Sequence, residues 1–424
     1  MRKSMAHKQD IVITGVGVVS PIGIGQEAFW TSLCEGQSGV RLLHLFQDSE
    51  LIPFGGEVTD FDPKKYVRQR KSLKVMSRDI QLAFAAADLA CCEAGHHKQP
   101  IDPERLGIVF GADLMPCELH ELVRAYRSCI VGGNFDFRRW GEAAMAEIFP
   151  LWMLKYLPNM HACHIGIAQD ARGPNNTLTL GDVSSLSAAA EGMRVIERGG
   201  AHAMIVGGAG SRIHPTLLYR GGDFELSRRS NDPAGASRPF DATRDGVVNG
   251  EGAAAFMFEA KNHAQARGAK ILARVLGYGA AFEPTRNGQA LYGISIRQAI
   301  IGAMHDVGIA PSEVGCVMAH GLSTIGDDKR EALAIREILG DVAVTALKSY
   351  FGHLGAGCGA MEMAAAVLAL KHRLVPPTLN YKVPDPQCPI CVVHGRPQPL
   401  EQPTVMILSY SRHGQAVALV LTAA

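Results

Sequence analysis

The chain has 424 residues, 47% of them hydrophobic, 20% charged and only 6% aromatic, a balance that supplies a large core and excludes a disordered or fibrous chain. Its 42 Lys and Arg against 41 acids leave a net charge of +1, so no excess of positive charge argues for a nucleic-acid partner, and no Lys/Arg run reaches patch length. Ten scattered cysteines are no disulfide framework, and no apolar run of about eighteen residues predicts a membrane span, so the expected location is a reducing cytoplasm.

In chain order, Met1 to Gly25 places Arg2, Lys3 and Lys8 ahead of Ile11-Val12-Ile13, but Asp10 interrupts the run and no Ala-x-Ala site follows. It reads as a tail of about ten residues before a first strand, not as a signal peptide. Buried strands are predicted at Ile11–Thr14, Leu106–Phe110, Ala203–Val206 and Cys316–Ala319, each running into a Gly or a His. Helices are predicted over Arg78–Ala94, Ser184–Arg198, Leu291–His305 and Ala356–His372, several of them apolar nearly all round and so sandwiched between layers. Pro239 to Gly252 reads as an ordered loop and Pro376 to Pro399 as a long surface excursion. The alternation points to α/β layering. A duplication shows only faintly, in strand-then-turn openings near Ile11 and Cys316.

The most informative stretch runs from Gly173 to Gly208. Gly173-Pro174-Asn175-Asn176-Thr177 leads to Gly181-Asp182, then Ser184-Ser185-Leu186, an Ala-rich helix, Gly199-Gly200, and the strand Met204-Ile205-Val206 closing on Gly207-Gly208. This order of strand, sharp turn, buried helix and strand resembles the nucleophile elbow of the thiolase-fold β-ketoacyl-carrier-protein synthases. Other blocks follow in the same order. They are Asp10 to Gly25, then Pro239-Phe240-Asp241 with Arg244-Asp245-Gly246 and Gly250-Glu251-Gly252, and then Ala319-His320-Gly321-Leu322-Ser323-Thr324 with Asp328 and Glu331. Lys348-Ser349, Gly352-His353 and Gly359 complete the set.

The resemblance implies two pseudo-duplicated βαβαβαββ halves in five α-β-α-β-α layers, with residues 1–260 as the N-terminal half and 261–424 as the C-terminal one. It implies that His320 and His353 stabilise the enolate left when malonyl-carrier protein loses CO2, and that Lys348 orients the second-histidine region. It implies an acyl carrier protein as partner, no cofactor and no metal. It also implies a dimer joined edge to edge near Ala203–Val206, either with a second copy or with a Cys-bearing synthase.

Two departures from the family pattern decide the expected mechanism. Asp182 stands where the family has its acyl-accepting Cys, and a carboxylate attacking an acyl group would give a hydrolysable mixed anhydride. Asp182 reads either as a helix N-cap and electrostatic placeholder or as a nucleophile or base. The family's closing Gly-Phe-Gly-Gly-x-Asn gate is here Ser409-Tyr410-Ser411-Arg412-His413-Gly414-Gln415-Ala416. Arg412 reads either as a partner of Asp182 or of a carboxylate ligand, or as a solvated cation. Tyr410, His413, Val247 (where the family usually has Phe) and Glu251 complete the expected substrate-binding or gate set.

These changes fall on the acyl-transfer half of the site, whereas the decarboxylation half is kept. Two functions are therefore expected. One is a malonyl-carrier-protein decarboxylase, with family relatives carrying Gln at the nucleophile position as precedent. The other is a non-catalytic, chain-length-factor-like subunit that pairs with an active synthase. The lone Cys388-x-x-Cys391, the Cys91-Cys92/His96-His97 and His161/Cys163-His164 groups lack metal-like spacing. Gly15-Val16-Gly17 lacks the rest of a dinucleotide fingerprint and reads as a turn.

Overall fold

The computed structural model describes residues 9–43, 53–220, 225–286, 289–290 and 293–424, and within them the long apolar runs form strands covered on both faces. The tail expected before the first strand lies outside these residues up to position 8, as do positions 291 and 292 of the predicted Leu291–His305 helix.

The first half runs β1 (Ile11–Ser20), α1 (Arg78–Glu93), β2 (Leu106–Gly111), α2 (Met160–Gln169), β3 (Asn175–Leu178), α3 (Ser184–Glu197), β4 (Ala203–Ser211) and β5 (Glu251–Ala260). The same succession returns in β6 (Ala273–Phe282), α4 (Ile294–Val307), β7 (Cys316–Met318), α5 (Ile325–Leu339), β8 (Ala343–Thr345), α6 (Cys358–His372), β9 (Thr404–Tyr410) and β10 (Gln415–Ala423). Strand order is β3-β2-β4-β5-β1 in one half and β8-β7-β9-β10-β6 in the other. The halves join where β1 and β6 run antiparallel, with Ile11 opposite Val275 and Ile13 opposite Ala273. The duplication is thus real, but its partners differ from those read in the sequence. β1 repeats as β6, and Cys316 opens the counterpart of β2, because the repeat lies in topology and not in side chains.

Helices α1 and α2 cover the outer face of the first half, α4 and α5 that of the second, and α3 and α6 lie between. Every residue of α6 from Cys358 to Leu370 is buried, as its all-round apolar sequence demands. Gly15 and Gly17 sit inside β1, not in a turn; a Cβ on either would meet the carbonyl oxygens of Ala90 and Ala86 in α1 at 2.1 and 1.9 Å. They serve close helix–sheet approach.

The strand expected to carry the dimer contact is not an edge. β4 is flanked by β2 on one side and β5 on the other, and the open edge of that half is β3, where Asn175 and Asn176 are exposed. The Pro376–Pro399 excursion contributes Cys391–Val392 as a short strand parallel to β8, with Cys388 buried and Cys391 exposed, so this Cys pair is spread along the chain path and forms no knuckle. No helix among the described residues is long and apolar enough to cross a membrane.

Candidate active site

Parallel strands carry their functional loops at their C-terminal ends. Beyond β3 the chain makes a 3-10 turn at Gly181–Val183, entered through Gly181 at φ +61, and runs straight into α3. This continuity overturns the N-cap reading of Asp182. The capping position falls on Val183, the turn is stabilised by the Ser184 hydroxyl, which donates to Gly181 O (2.6 Å) and accepts from Leu180 N (2.8 Å), and the Asp182 carboxylate is left for other partners.

The loop after β7 is held by two carboxylates on α5. Glu331 accepts the N–H groups of His320 (2.7 Å) and Gly321 (2.8 Å), and Asp328 accepts those of Leu322 and Phe240 (both 2.8 Å). Burial pushes Glu331 up to about 7 and Asp328 up to about 6. The turn after β8 supplies Lys348, whose ammonium donates to His320 Nδ1 (3.0 Å) and to Glu362 Oε1 (2.5 Å) on α6. Because an ammonium only donates, His320 Nδ1 must accept and Nε2 carries the proton. That Nε2 is buried and has no hydrogen-bond partner among the described residues.

Two residues beyond the short helix Lys348–Phe351, His353 meets Asp182, its Nε2 donating to Asp182 Oδ1 at 2.7 Å. The two imidazoles stand perpendicular, with centroids 6.2 Å apart. Asp182, His320 and His353, drawn from β3–α3, β7–α5 and β8–α6, are thus one site. Burial alone would raise the Asp182 carboxyl, but His353 and Arg212 outweigh it and hold it well below the usual carboxylate range. Burial and the Lys348 charge keep His320 neutral; burial also lowers His353, against the pull of Asp182. A carboxylate lowered on folding adds stability above its unfolded value and loses it only as pH falls through the folded one. Asp182→Asn is therefore expected to cost about 1.5–3 kcal/mol at neutral pH, the worth of a hydrogen bond to a charged group. In denaturant titrations the difference should narrow only below about pH 4; a loss that is the same at every pH would contradict an ionised Asp182.

The remaining expected residues separate. Tyr410, ending β9, packs edge-on against His320 (4.7 Å between centroids) and its hydroxyl donates to Glu331 (3.4 Å), while Ser409 Oγ donates to the Asp182 carbonyl (2.6 Å). Arg412 does not pair with Asp182: its Nη2 and Nε reach Asp327 Oδ2 at 2.8 and 3.2 Å, at the start of α5. The cation beside Asp182 is Arg212, 3.9 Å from Oδ1 and 2.9 Å from Asp113 Oδ2. His413 is exposed on the β9–β10 turn, and Val247 is buried beside a cavity of about 330 Å³ with Leu226 and Phe54. Glu251 opens β5 in a separate network, accepting from Val58 N (3.0 Å), Ser211 Oγ (3.0 Å) and Arg78 (2.7 Å).

One ring nitrogen of each histidine and a carboxylate oxygen of Asp182 lie within 4.8 Å of one another, a donor set a metal could use. The surroundings oppose it. A metal-bound histidine normally donates from its other nitrogen to an acceptor, whereas His320 Nδ1 accepts from an ammonium. Arg212 adds a second positive charge beside Asp182.

The sequence matches the family profile "Beta-ketoacyl synthase, N-terminal domain" over residues 8–264 and "Beta-ketoacyl synthase, C-terminal domain" over 272–382. The chain belongs to the β-ketoacyl synthase family. It is 32% identical over 426 residues to the 3-oxoacyl-[acyl-carrier-protein] synthase 2 of Synechocystis sp., covering 97% of this chain and 98% of that one. A 3-oxoacyl-[acyl-carrier-protein] synthase 2 of Coxiella burnetii matches at 32% over 429 residues, with 98% and 99% covered. Among solved structures, the ishigamide ketosynthase/chain length factor superposes with TM-score 0.86 at 27% identity, over 98% of this chain and 100% of that one. The AntDE:AntF complex, a type II polyketide synthase acyl-carrier protein with its ketosynthase, gives TM-score 0.83 at 26% identity, with 99% and 100% covered. This chain is therefore a ketosynthase homologue of fatty-acid and polyketide synthesis, with the thiolase-like fold.

Arg212, Asp113 and Glu362 were not read from the sequence. Glu362 had a signal, since a lone carboxylate inside an otherwise apolar helix needs a buried cation.

Proposed function

We propose that this ketosynthase homologue removes CO2 from malonyl-carrier protein and does not condense on its own. The observation that carries this reading is the His320 Nε2–H, a buried donor with no protein partner among the described residues, fixed in its tautomer by Lys348 beside Asp182. In the reaction the bond between the malonyl carboxylate carbon and Cα breaks and its electron pair moves to the thioester oxygen. His320 Nε2–H donates to that oxyanion, and Cα then takes a proton from water to give acetyl-carrier protein. Asp182, standing at the elbow in place of the acyl-accepting Cys, builds up no acyl-enzyme, because its anhydride would hydrolyse.

A basic segment supports the carrier protein as partner. Lys64, Lys65, Arg68, Arg70, Lys71 and Lys74 are all exposed, with no acid among residues 64–74. An acidic carrier protein would be attracted to this basic segment.

Intact-mass spectrometry of malonyl-loaded carrier protein tests the reading. Asp182 occupies the Nε2–H of His353, so Asp182→Gln frees a second oxyanion donor, and acetyl-carrier protein is expected to form roughly tenfold faster or more. If neither the unaltered protein nor Asp182→Gln yields acetyl-carrier protein, the decarboxylase reading fails.

A second reading, a chain-length-factor-like subunit paired with a Cys-bearing synthase, has its own support. The first half of the chain exposes the large apolar side chains of Leu114 (78%), Phe137 (74%), Met145 (89%) and Ile167 (73%), the last on α2, which packs against the open edge strand β3. The likeness to the ishigamide ketosynthase/chain length factor agrees with it.

A further inference from the structure

The carboxylate of Asp182 has a neighbour that no motif supplied. Arg212 directly follows β4 and Asp113 stands two residues beyond β2; these strands are adjacent and parallel, so their C-terminal ends bring the two side chains together. Arg212 Nη2 lies 2.9 Å from Asp113 Oδ2 and 3.9 Å from Asp182 Oδ1, and the side chains are only 19% and 29% exposed. The backbone of Gly355 closes against them. A Cβ at Gly355 would stand 2.5 Å from Arg212 Nε and 2.7 Å from Asp113 Oδ2, so the glycine is what leaves room for the pair, and its φ of +62 suits glycine as well. The space beside the side chain of residue 182 is therefore filled by a guanidinium and a carboxylate seated on main chain.

We propose that the Asp113–Arg212 pair is an ionic plug that denies residue 182 to monocarboxylic acyl chains and so restricts the site to short units bearing their own carboxylate, such as malonyl. An acyl chain at residue 182 needs apolar volume where the guanidinium stands, and burying a cation against methylenes is strongly unfavourable. Swinging Arg212 aside breaks its contacts to two carboxylates. A carboxylated unit meets no such penalty, because a guanidinium accepts carboxylates readily. Arg212 and Asp113 are thus specificity-determining residues for the site, and Asp182 alone does not account for the loss of acyl transfer. This inference rests on reading residue 182 as the family's acceptor position.

The test uses the full-length protein carrying a thiol at that position and the octanoyl thioester of N-acetylcysteamine as acyl donor, read by intact mass. Asp182→Cys alone is expected to stay unacylated while iodoacetamide still alkylates it. Asp182→Cys/Arg212→Ala/Asp113→Gly is expected to be acylated roughly tenfold faster or more, in the range by which pocket shape discriminates substrates. Asp182→Cys/Arg212→Lys, which keeps the charge, should remain blocked. Should the triple variant not fold, Asp182→Cys/Arg212→Ala gives the same comparison. Acylation of Asp182→Cys as fast as the triple variant overturns the plug, and so does a triple variant that iodoacetamide labels but the thioester does not. Malonyl conversion by the unaltered protein is read separately, so failure of the decarboxylase reading leaves this result standing.

Discussion

His320→Ala is expected to slow the formation of acetyl-carrier protein by about 10²–10³-fold, the usual cost of removing one oxyanion donor. Of the two imidazoles only His320 offers an N–H without a partner among the described residues, because His353 Nε2–H is bonded to Asp182. Two contacts survive removal of the ring: Glu331 still holds the backbone N–H of residue 320, and Lys348 keeps its bond to Glu362. The variant should therefore fold, and circular dichroism and binding of carrier protein should be unchanged while turnover falls. The control that separates loss of the donor from disturbance of its surroundings is Tyr410→Phe, which keeps the ring against His320 and loses only a long bond to Glu331; it should retain most of the turnover. If the unaltered protein makes acetyl-carrier protein and His320→Ala makes it as fast, the chemistry does not run through this donor. If neither makes it, the partner-subunit reading gains, and light scattering with a Cys-bearing synthase becomes the decisive measurement.

The site was more legible in the sequence than the contacts that tune it, and the physical reason is the range of each signal. His320, His353 and Lys348 lie in short blocks whose glycines fix the loops, so their positions could be read locally; Gly352 at φ +77 and Gly321 at φ +45 meet that need for left-handed backbone. Arg212 finds Asp113 across 99 residues, and Arg412 finds Asp327 across 85, so neither pairing leaves a local trace. Strand order is equally non-local. The apolar run at Ala203–Val206 is the same whether its strand is central or at an edge, and only the neighbours β2 and β5 show that β3 is the open edge. The N-cap reading of Asp182 failed for a local reason that composition does not carry: a 3-10 turn feeds α3 without the extended residue a side-chain cap requires.

The Lys348–Glu362 pair shows how the fold itself can be made to report on the site. Lys348 is 2% and Glu362 0% exposed, so no solvent screens them. Lys348→Met is expected to lower the unfolding free energy by about 3–5 kcal/mol, because it leaves the fully buried Glu362 carboxyl without its cation. Neighbouring charges hold Lys348 above its ordinary value against the cost of burial, with Glu362 first among them, while burial pushes Glu362 up to about 8. Without Lys348 the Glu362 carboxyl must take up a proton on folding, so the loss should grow as pH rises above the ordinary carboxylate range. Adding Glu362→Leu removes the stranded carboxyl, and the double variant should recover most of the loss, since a buried pair exchanged for apolar side chains of similar volume is often neutral. Denaturant unfolding of the four proteins in the cycle measures this; a Lys348→Met loss under about 1 kcal/mol would mean that the pair is not the link between β8–α6 and the histidines. Recovered stability should not restore turnover. With Lys348 gone, nothing donates to His320 Nδ1, the neutral ring is free to carry its proton on either nitrogen, and the Nε2–H tautomer that the proposed reaction needs is no longer fixed. A double variant that is stable yet slow would place the function of Lys348 in the orientation of one proton, separate from its part in holding the fold.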